Sequence, residues 1–473
     1  SLIIDRNIRE KGREGNYVYP ILIVSLTILI NSLNMPEETE VNSGITENKT
    51  VETTELIKEN VIVSEKEIKT YKCVTLGAFG GSKHIRIDMN EVKSVGKNEV
   101  AIDVQACGIN FLDIMTRQGL IDQAMKPPFI LGSECTGIIS EVGEKVTTYK
   151  VGDPVIVLLD NGAWSERLVL PFIEKANTNQ TNSTTQSGDV ECTESNEFGK
   201  IKSIILPRPK TLDVNKAAII SFAYIPAYIL TYHILNVHSG DIVLIFSAGG
   251  GVGTALGQLM KLIPNVTLIG IASKAKHEKL TKIYDILLEP DQDCVTEIKK
   301  LYPNGIDAIL DCISGPDTNK LYGILKPLGK HIIYGMSNLV TGDRKNFLNL
   351  AKHWFHIERI NPLKLHDENL LLGGFSLKSL LFSRDPNQTE TNKLIIDVWN
   401  ELTKLIDSQK IDPIVDSQWY LDETKEAMLR LQERKNIGKV VLIPKLKEKD
   451  AEEAVENTEK PTTDETSTNS TAK

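Results

Sequence analysis

Hydrophobic and polar positions follow two different patterns along the chain. Between Tyr71 and Leu159, short apolar runs such as YKCVTL and GDPVIVLL are separated by glycine turns, and NEVAIDVQACGIN alternates with a period of two residues. That period places every second side chain on one face of a strand. Frequent short strands with glycine turns and little helical spacing predict a barrel-like β domain.

From Thr211 onward the pattern changes. Apolar runs such as DIVLIFS, VTLIGIAS and IDAILDCISG alternate with segments of helical spacing such as TALGQLMKLI. This alternation is typical of a doubly wound parallel sheet. One apolar segment of helical spacing, LDVNKAAIISFAYIPAYILTYHIL, contains Pro226, which should kink or end the helix there.

Three segments do not share either pattern. Tyr17–Leu33 is an apolar run that follows four basic residues, and it is short for a bilayer span. Residues 1–34 are therefore an extension outside the functional protein, a membrane anchor or a cleaved signal. The polar insertion at 175–202 and the charged tail at 445–473 lack the apolar residues that a core needs, which predicts disorder.

Composition limits the classes of function. The chain has 473 residues, of which 41% are hydrophobic and 25% charged, as in globular proteins. The net charge of −9 lies mostly in the acidic segments at 36–70 and 445–473, so the remaining body is nearly neutral and gives no sign of nucleic-acid binding. The six cysteines include no C-x-x-C pair, which excludes a four-cysteine zinc lobe and favours free thiols.

The most informative motif is the glycine turn in DIVLIFSAGGGVGTALG. It lies between a buried strand and an apolar helix, and its glycines occupy the second and third positions of a dinucleotide-binding fingerprint. Glycine lets a pyrophosphate approach the backbone, and the N–H groups at the start of the helix attract it. The motif predicts a dinucleotide site, with a purely structural turn as the alternative, at Ser247, Gly250, Gly251, Val252 and Gly253.

The choice of cofactor depends on the residue about 20 positions after the last glycine, where an acidic side chain would bind the ribose of NAD. That residue is Ser273, and Lys274 and Lys276 follow it. A hydroxyl and cations suit a 2′-phosphate, so the sequence favours NADPH over NADH. The alternative is that these lysines are the solvated start of a helix.

Several motifs resemble one family. ACGINFLDIMTRQGL, PPFILGSECTGII and SAGGGVG are similar to the zinc-free quinone oxidoreductase branch of the medium-chain dehydrogenase/reductase superfamily. YGMSNLVTGDRKNFLNLAKHW and NIGKVVLIP extend the resemblance, in particular to the vesicle amine transport protein group, also called synaptic vesicle membrane protein homologues. It covers Tyr71 to Pro444 apart from the polar insertion.

The resemblance implies an α/β fold with a GroES-like β-barrel domain and a Rossmann domain built on a doubly wound parallel sheet. The active cleft would lie where these domains meet. The implied segments are an N-terminal extension with an acidic linker (1–70), the GroES-like domain (71–210) and the Rossmann domain (211–365). A return to the GroES-like domain (366–444) and an acidic tail (445–473) follow.

The resemblance also bears on metal binding. In zinc-dependent relatives, the ligands Cys and His would fall at Asn110 and Ser133, beside an acidic residue where Glu134 stands. An amide and a hydroxyl are poor ligands for a tetrahedral zinc ion. We therefore expect no zinc, and His353 and His356, three residues apart, have no partner cysteines.

Site residues follow from the same resemblance. Asn110 would lie near the nicotinamide and the acceptor. The cofactor groove would be lined by Tyr334, Gly335, Met336, Phe375 and Lys439. The alternatives are ordinary packing for the residues that follow a strand end and a solvated side chain for Lys439. Cys107 and Cys135 would flank the cleft, although buried thiols are usually inert.

Three positions depart from the quinone reductase pattern. Met115 and Ile121 replace aromatic residues that flank the substrate there. An acidic residue, Glu289, stands near the place of a tyrosine that lies beside the 2′-phosphate, and its charge would weaken the preference for NADPH.

Two functions follow from these residues. The first is NADPH-dependent, zinc-independent reduction of a small electrophilic acceptor such as a quinone or an enone. The second is a membrane-associated interaction protein of a vesicle or organelle that keeps the dinucleotide fold with little turnover. The resemblance implies a homodimer in the cytoplasm, with attachment to a vesicle or to the outer surface of mitochondria as a further expectation.

Overall fold

The computed structural model describes residues 69–121, 126–172, 203–314, 318–345, 362–382 and 388–444. The expectations for the apolar run at 17–33, the polar insertion at 175–202, the acidic tail and the histidine pair fall outside these residues. Within the described ranges, no helix is both long and apolar enough to span a bilayer.

The strands of the described chain are β1 Thr70–Leu76, β2 Ile85–Glu91, β3 Glu99–Ile109, β4 Phe129–Ile130, β5 Glu134–Val142, β6 Pro154–Leu159, β7 Arg167–Pro171, β8 Ser203–Pro207, β9 Ile242–Ile245, β10 Thr267–Ile271, β11 Ile286–Leu288, β12 Ile306–Asp311, β13 Leu325–Ile333, β14 Leu371–Gly374, β15 Val415–Tyr420 and β16 Lys439–Ile443. The α-helices are α1 Phe111–Gln118, α2 Val214–Ala217, α3 Ser221–Tyr228, α4 Gly251–Met260, α5 Lys274–Leu280, α6 Cys294–Leu301, α7 Thr318–Leu321, α8 Pro362–Asp367, α9 Leu377–Phe382, α10 Gln388–Asp407 and α11 Thr424–Gln432.

The first domain is a β structure made from both ends of the described chain. Its main sheet has the order β15-β16-β3-β5-β6-β8, with β7 also paired to β3, and a small sheet has the order β2-β1-β4. Alternate apolar side chains of these strands form one core that includes the fully buried Trp164. Because β16 pairs antiparallel with β3, the C-terminal Val440 lies opposite Ile109. This arrangement confirms the predicted GroES-like domain.

The second domain contains a parallel sheet of order β11-β10-β9-β12-β13-β14 with helices packed against it. This is the strand order of a doubly wound dinucleotide-binding fold, so the predicted Rossmann domain is confirmed. In such sheets ligands bind at the carboxyl ends of the strands, where the strand order reverses. Here that point lies between β9 and β12.

The predicted domain boundary at 365 is too early. Strand β14 pairs with β13, and Trp399 and Leu402 of α10 share the core that contains Val243 of β9. The Rossmann domain therefore continues through α10. The short, glycine-rich LLGG sequence of β14 carries little strand signal, which explains why the pattern missed it.

Helix α3 contains Pro226 and ends two residues after it, at Tyr228. The chain remains helical and becomes π-helical at Ile229–Ile234. Proline has no N–H, so the carbonyl four residues before it loses its partner within the helix. The segment packs into the Rossmann core through Ile225 and Leu230, both fully buried.

Candidate functional site

A cleft of about 490 Å³ lies between the two domains. The Rossmann side of the cleft is formed by segments that follow β9, β10, β12 and β13, and the other side by α1 and the start of β16. The predicted site residues that line it are Asn110, Ser247, Gly250, Gly251, Val252, Gly253, Ser273, Lys276, Tyr334, Gly335, Met336, Phe375 and Lys439. The cleft thus brings together residues more than 300 positions apart in the sequence.

The glycine turn has the geometry that close approach of a phosphate requires. Ser247, at the first fingerprint position, has a φ of 52°, in the left-handed region that usually favours glycine. A Cβ at Gly253 would lie 2.4 Å from the carbonyl oxygen of Ser247 and 2.8 Å from that of Ala248, so no other residue fits there. Gly250 caps helix α4, whose first N–H groups lack partners within the helix.

The C-terminal return of the GroES-like domain touches this turn. The backbone N–H of Gly438 donates to the carbonyl of Gly249 at 2.9 Å. The side chain of Lys439 crosses Gly251 so closely that a Cβ there would lie 2.5 Å from Cδ of the lysine. These contacts fix the glycine turn relative to the GroES-like domain.

Two cations line the cleft near the end of β10 and the loop before β16. Lys276 Nζ donates to the carbonyl of Asn436 at 2.7 Å, and burial lowers the pKa of its ammonium. Arg434 also lines the cleft. Lys274, by contrast, does not line the cleft: its side chain is 77% exposed, and its Nζ lies 3.7 Å from Glu289 Oε1. Glu289, expected to weaken phosphate binding, lies beside this exposed lysine and does not line the cleft.

Five polar side chains form a buried cluster at the inner end of the cleft. Every member is at least nine-tenths buried: Asn110, Asp113, Ser133, Glu134 and Lys439. Lys439 Nζ donates to Asn110 Oδ1 at 2.5 Å and to Glu134 Oε1 at 2.6 Å. Ser133 Oγ donates to Asp113 Oδ1 at 3.2 Å. Buried charges are tolerated when they are paired and hydrogen-bonded in this way.

Asn110 is held from three sides. Its amide Nδ2 donates to Ser133 Oγ at 3.1 Å and to Glu134 Oε1 at 3.0 Å, while its backbone N–H donates to Asp113 Oδ2 at 2.7 Å as helix α1 begins. Both amide hydrogens are thus committed within the protein. Asn110 lines the cleft, but its amide donors are not free for a substrate.

The residues at the place of the zinc ligands of related dehydrogenases do not fit a zinc ion. Asn110 and Ser133 offer an amide and a hydroxyl, and the Glu134 carboxylate already accepts from Lys439, from Ser221 Oγ at 2.6 Å and from the N–H of Phe222 at 2.9 Å. A zinc site needs thiolate, imidazole or free carboxylate ligands. In the described part of the chain, no group of three His, Cys, Asp or Glu side chains could hold a metal ion.

Asp113 makes the buried cluster sensitive to pH. Burial raises the pKa of this carboxyl to about 7, although hydrogen bonds from Asn110 and Ser133 and the charge of Lys439 act in the opposite direction. The pKa of Asp113 is higher in the folded than in the unfolded protein. The stability that the neutral carboxyl contributes is therefore complete below about pH 4 and is lost as the pH rises to 7.

We therefore expect Asp113→Asn to gain stability relative to the wild type as the pH increases from 4 to 8, because the amide cannot ionise. Urea denaturation at both pH values measures the difference in free energy of unfolding. A difference that stays constant between the two pH values would show that Asp113 does not titrate in this range.

The thiols lie differently from the prediction. Cys107 and Cys135 are fully buried in the GroES-like core and do not line the cleft, and burial raises the pKa of both. Cys312, which sequence reasoning missed, lines the cleft beside Tyr334. Burial also raises its pKa, which lowers the fraction of reactive thiolate at neutral pH.

Comparisons with known proteins agree with this architecture. Residues 96–170 match the alcohol dehydrogenase GroES-like domain family, and residues 286–442 match the zinc-binding dehydrogenase family. The chain is 38% identical over 371 residues to the synaptic vesicle membrane protein VAT-1 homolog-like of Mus musculus, covering 78% of this chain and 81% of that protein. It is 33% identical over 377 residues to the human VAT-1 homolog, covering 79% and 86%.

Solved structures show the same fold. The crystal structure of the human VAT-1 homolog-like protein has a TM-score of 0.63 at 33% identity, covering 80% of this chain and 99% of that one. The Escherichia coli quinone oxidoreductase complexed with NADPH has a TM-score of 0.61 at 20% identity, covering 79% and 100%.

Proposed function

Because the chain belongs to the synaptic vesicle membrane protein VAT-1 homologue family, within the medium-chain dehydrogenase/reductase superfamily, we propose that it is an NADPH-dependent reductase of quinone-like or enone acceptors. The observation that carries the proposal is the single cleft in which the glycine turn, two cations and the buried cluster meet. NADPH, when bound, supplies the hydride. The protein supplies binding, orientation and a dry site.

Different residues of the cleft would bind different parts of the cofactor. The N–H groups at the start of α4 would hold the pyrophosphate against Gly250 and Gly253. Ser273, Lys276 and Arg434 would hold the 2′-phosphate, since cations and a hydroxyl suit a dianion. A structural neighbour of the chain was solved with NADPH, which supports this choice over NADH. The nicotinamide end would lie among Tyr334, Gly335, Met336 and Phe375.

The acceptor would lie between the nicotinamide end and the buried cluster. The wall there is mostly apolar, with Met115, Phe222 and Pro226 among its members. An apolar wall excludes water, which favours direct transfer between two bound molecules placed in contact. Met115, where quinone reductases carry an aromatic residue, leaves a flexible surface that suits flat acceptors of several shapes.

Lys276→Ala tests the phosphate site. We expect the variant to bind NADPH about 10-fold more weakly, as the loss of one charge-assisted hydrogen bond implies, with NADH affinity unchanged. Calorimetric titration with both cofactors measures the change. Lys274→Ala is the matched control, because Lys274 lies on the same helix outside the cleft, and it should behave as the wild type. An equal loss for both cofactors would contradict phosphate recognition by Lys276.

The function itself is tested by NADPH oxidation in the presence of 9,10-phenanthrenequinone, with the full chain. We expect quinone-dependent turnover and retention on 2′,5′-ADP resin in preference to 5′-AMP resin. Measurable NADPH affinity without turnover would favour the second function, an interaction protein on vesicles or organelles, which the names of the relatives support. The homodimer stays a prediction that light scattering can measure.

A further inference from the structure

The ammonium group of Lys439 has more donors than its protein partners use. A lysine ammonium carries three N–H donors and no acceptor. Two of them are directed to Asn110 Oδ1 and Glu134 Oε1, at 2.5 and 2.6 Å. No third acceptor contacts Nζ among the described residues, and Lys439 lines the cleft although only 6% of the residue is exposed.

The position of this ammonium is set by both domains. Its aliphatic stem crosses Gly251, at the start of the helix beside which the cofactor would lie. Its head is held by Asn110 at the first turn of α1 and by the fully buried Glu134. The Glu134 carboxylate balances the charge, and Ser221 and Phe222 bond its other oxygen. A fixed cation therefore stands at the place where the resemblance puts the zinc ligands of related dehydrogenases.

We propose that Lys439 is the electrophile of the reaction: its free N–H binds the carbonyl oxygen of the acceptor and transfers a proton to it. This inference rests on the proposed reductase function. Preorganised donors aimed at an oxygen that gains negative charge stabilise the transition state strongly in a dry site. Asn110 and Glu134 act as positioning residues, because they hold the ammonium and the Asn110 amide donates both of its hydrogens within the protein.

The step balances for a quinone. The quinone accepts a hydride, with its two electrons, from the reduced nicotinamide, which is oxidised. The quinone thereby becomes the hydroquinone monoanion. An N–H bond of Lys439 breaks, its proton forms the O–H bond of the hydroquinone, and the electron pair stays on Nζ. After the hydroquinone has left, water enters the emptied cleft and returns a proton to the neutral amine, which leaves hydroxide in the solvent.

Infrared difference spectroscopy provides a readout that does not depend on turnover. The probe is 9,10-phenanthrenequinone labelled with carbon-13 at its carbonyls, bound together with NADP⁺, with which it cannot react. A hydrogen bond from an ammonium lowers the carbonyl stretching frequency. We expect the lowered band in the wild type and its loss in the double variant Lys439→Met with Glu134→Gln, which leaves no unpaired buried charge. Turnover of the double variant should fall about 100-fold.

The matched control is the double variant Lys378→Met with Asp160→Asn. Lys378 also lines the cleft and pairs with Asp160 at 2.6 Å, but it lies outside the buried cluster. This control should keep the lowered band.

Carbonyl bands at the same frequency in the wild type and the Lys439 double variant would overturn the proposal while leaving reductase activity intact. A lowered band in the wild type without any turnover would overturn the reductase function but retain the contact. Failure of the quinone to bind the wild type would overturn both.

Discussion

Gly253→Val should abolish binding of NADPH, with a dissociation constant raised by a factor of about 100 or more. The first side-chain carbon would lie 2.4 Å from the backbone carbonyl oxygen of Ser247, and backbone atoms cannot rotate away as a side chain can. The start of α4 would have to move from β9, and its N–H groups would leave the pyrophosphate. Two lost charge-assisted hydrogen bonds of about 1.5–3 kcal/mol each account for the factor.

Calorimetric titration with NADPH measures this effect. Gly342→Ala is the control, because a Cβ at Gly342 meets nothing within 4 Å and the position has no left-handed backbone. The control should bind as the wild type does. If Gly253→Val binds NADPH within threefold of the wild type, the glycine turn is only structural, as the alternative interpretation of the motif holds.

The fold was predictable because both domains depend on local patterns. The period-two alternation in β3 and the apolar runs of β9 and β12 predict which of their side chains are buried. The glycine turn lies where a strand meets a helix. The end of the Rossmann domain was not predictable in this way. Strand β14 has four residues, LLGG, and its membership of the sheet depends on pairing with β13, which lies about forty positions earlier.

The site was predictable only in its local parts. Ser247 to Gly253 form a continuous motif, so their proximity can be predicted without knowing the fold. Arg434 and Cys312 reach the cleft through tertiary packing, and nothing in their neighbouring residues indicates a cofactor. The sequence RKN at 434–436, which contains Arg434, indicates only a basic loop before the last strand.

Lys439 illustrates why the sequence pattern alone could not assign a role, which came only from the family resemblance. A lysine at the start of the C-terminal strand is ordinarily solvated. Only the pairing of β16 with β3 brings Lys439 against Glu134 and Asn110, which lie 305 and 329 positions earlier in the chain. The structure excludes the solvated alternative, since only 6% of the residue is exposed.

Lys439→Met should lower the free energy of unfolding by about 3–5 kcal/mol, because it leaves the carboxylate of Glu134 buried without its cation. Glu134 is completely buried, so water cannot replace the lost ammonium. Glu134→Gln should cost a similar amount by leaving Lys439 unpaired. Combining both substitutions removes both charges, and the double variant should be less destabilised than the sum of the two single variants.

Urea denaturation of the four proteins measures this coupling. Lys300→Met is the matched control: Lys300 pairs with Glu297 at 2.7 Å, but the lysine side chain is 64% exposed. Its loss should cost no more than about 1 kcal/mol, as for other surface pairs. Additive single effects, or a Lys439→Met variant as stable as this control, would mean that the ammonium and the carboxylate do not depend on each other inside the protein.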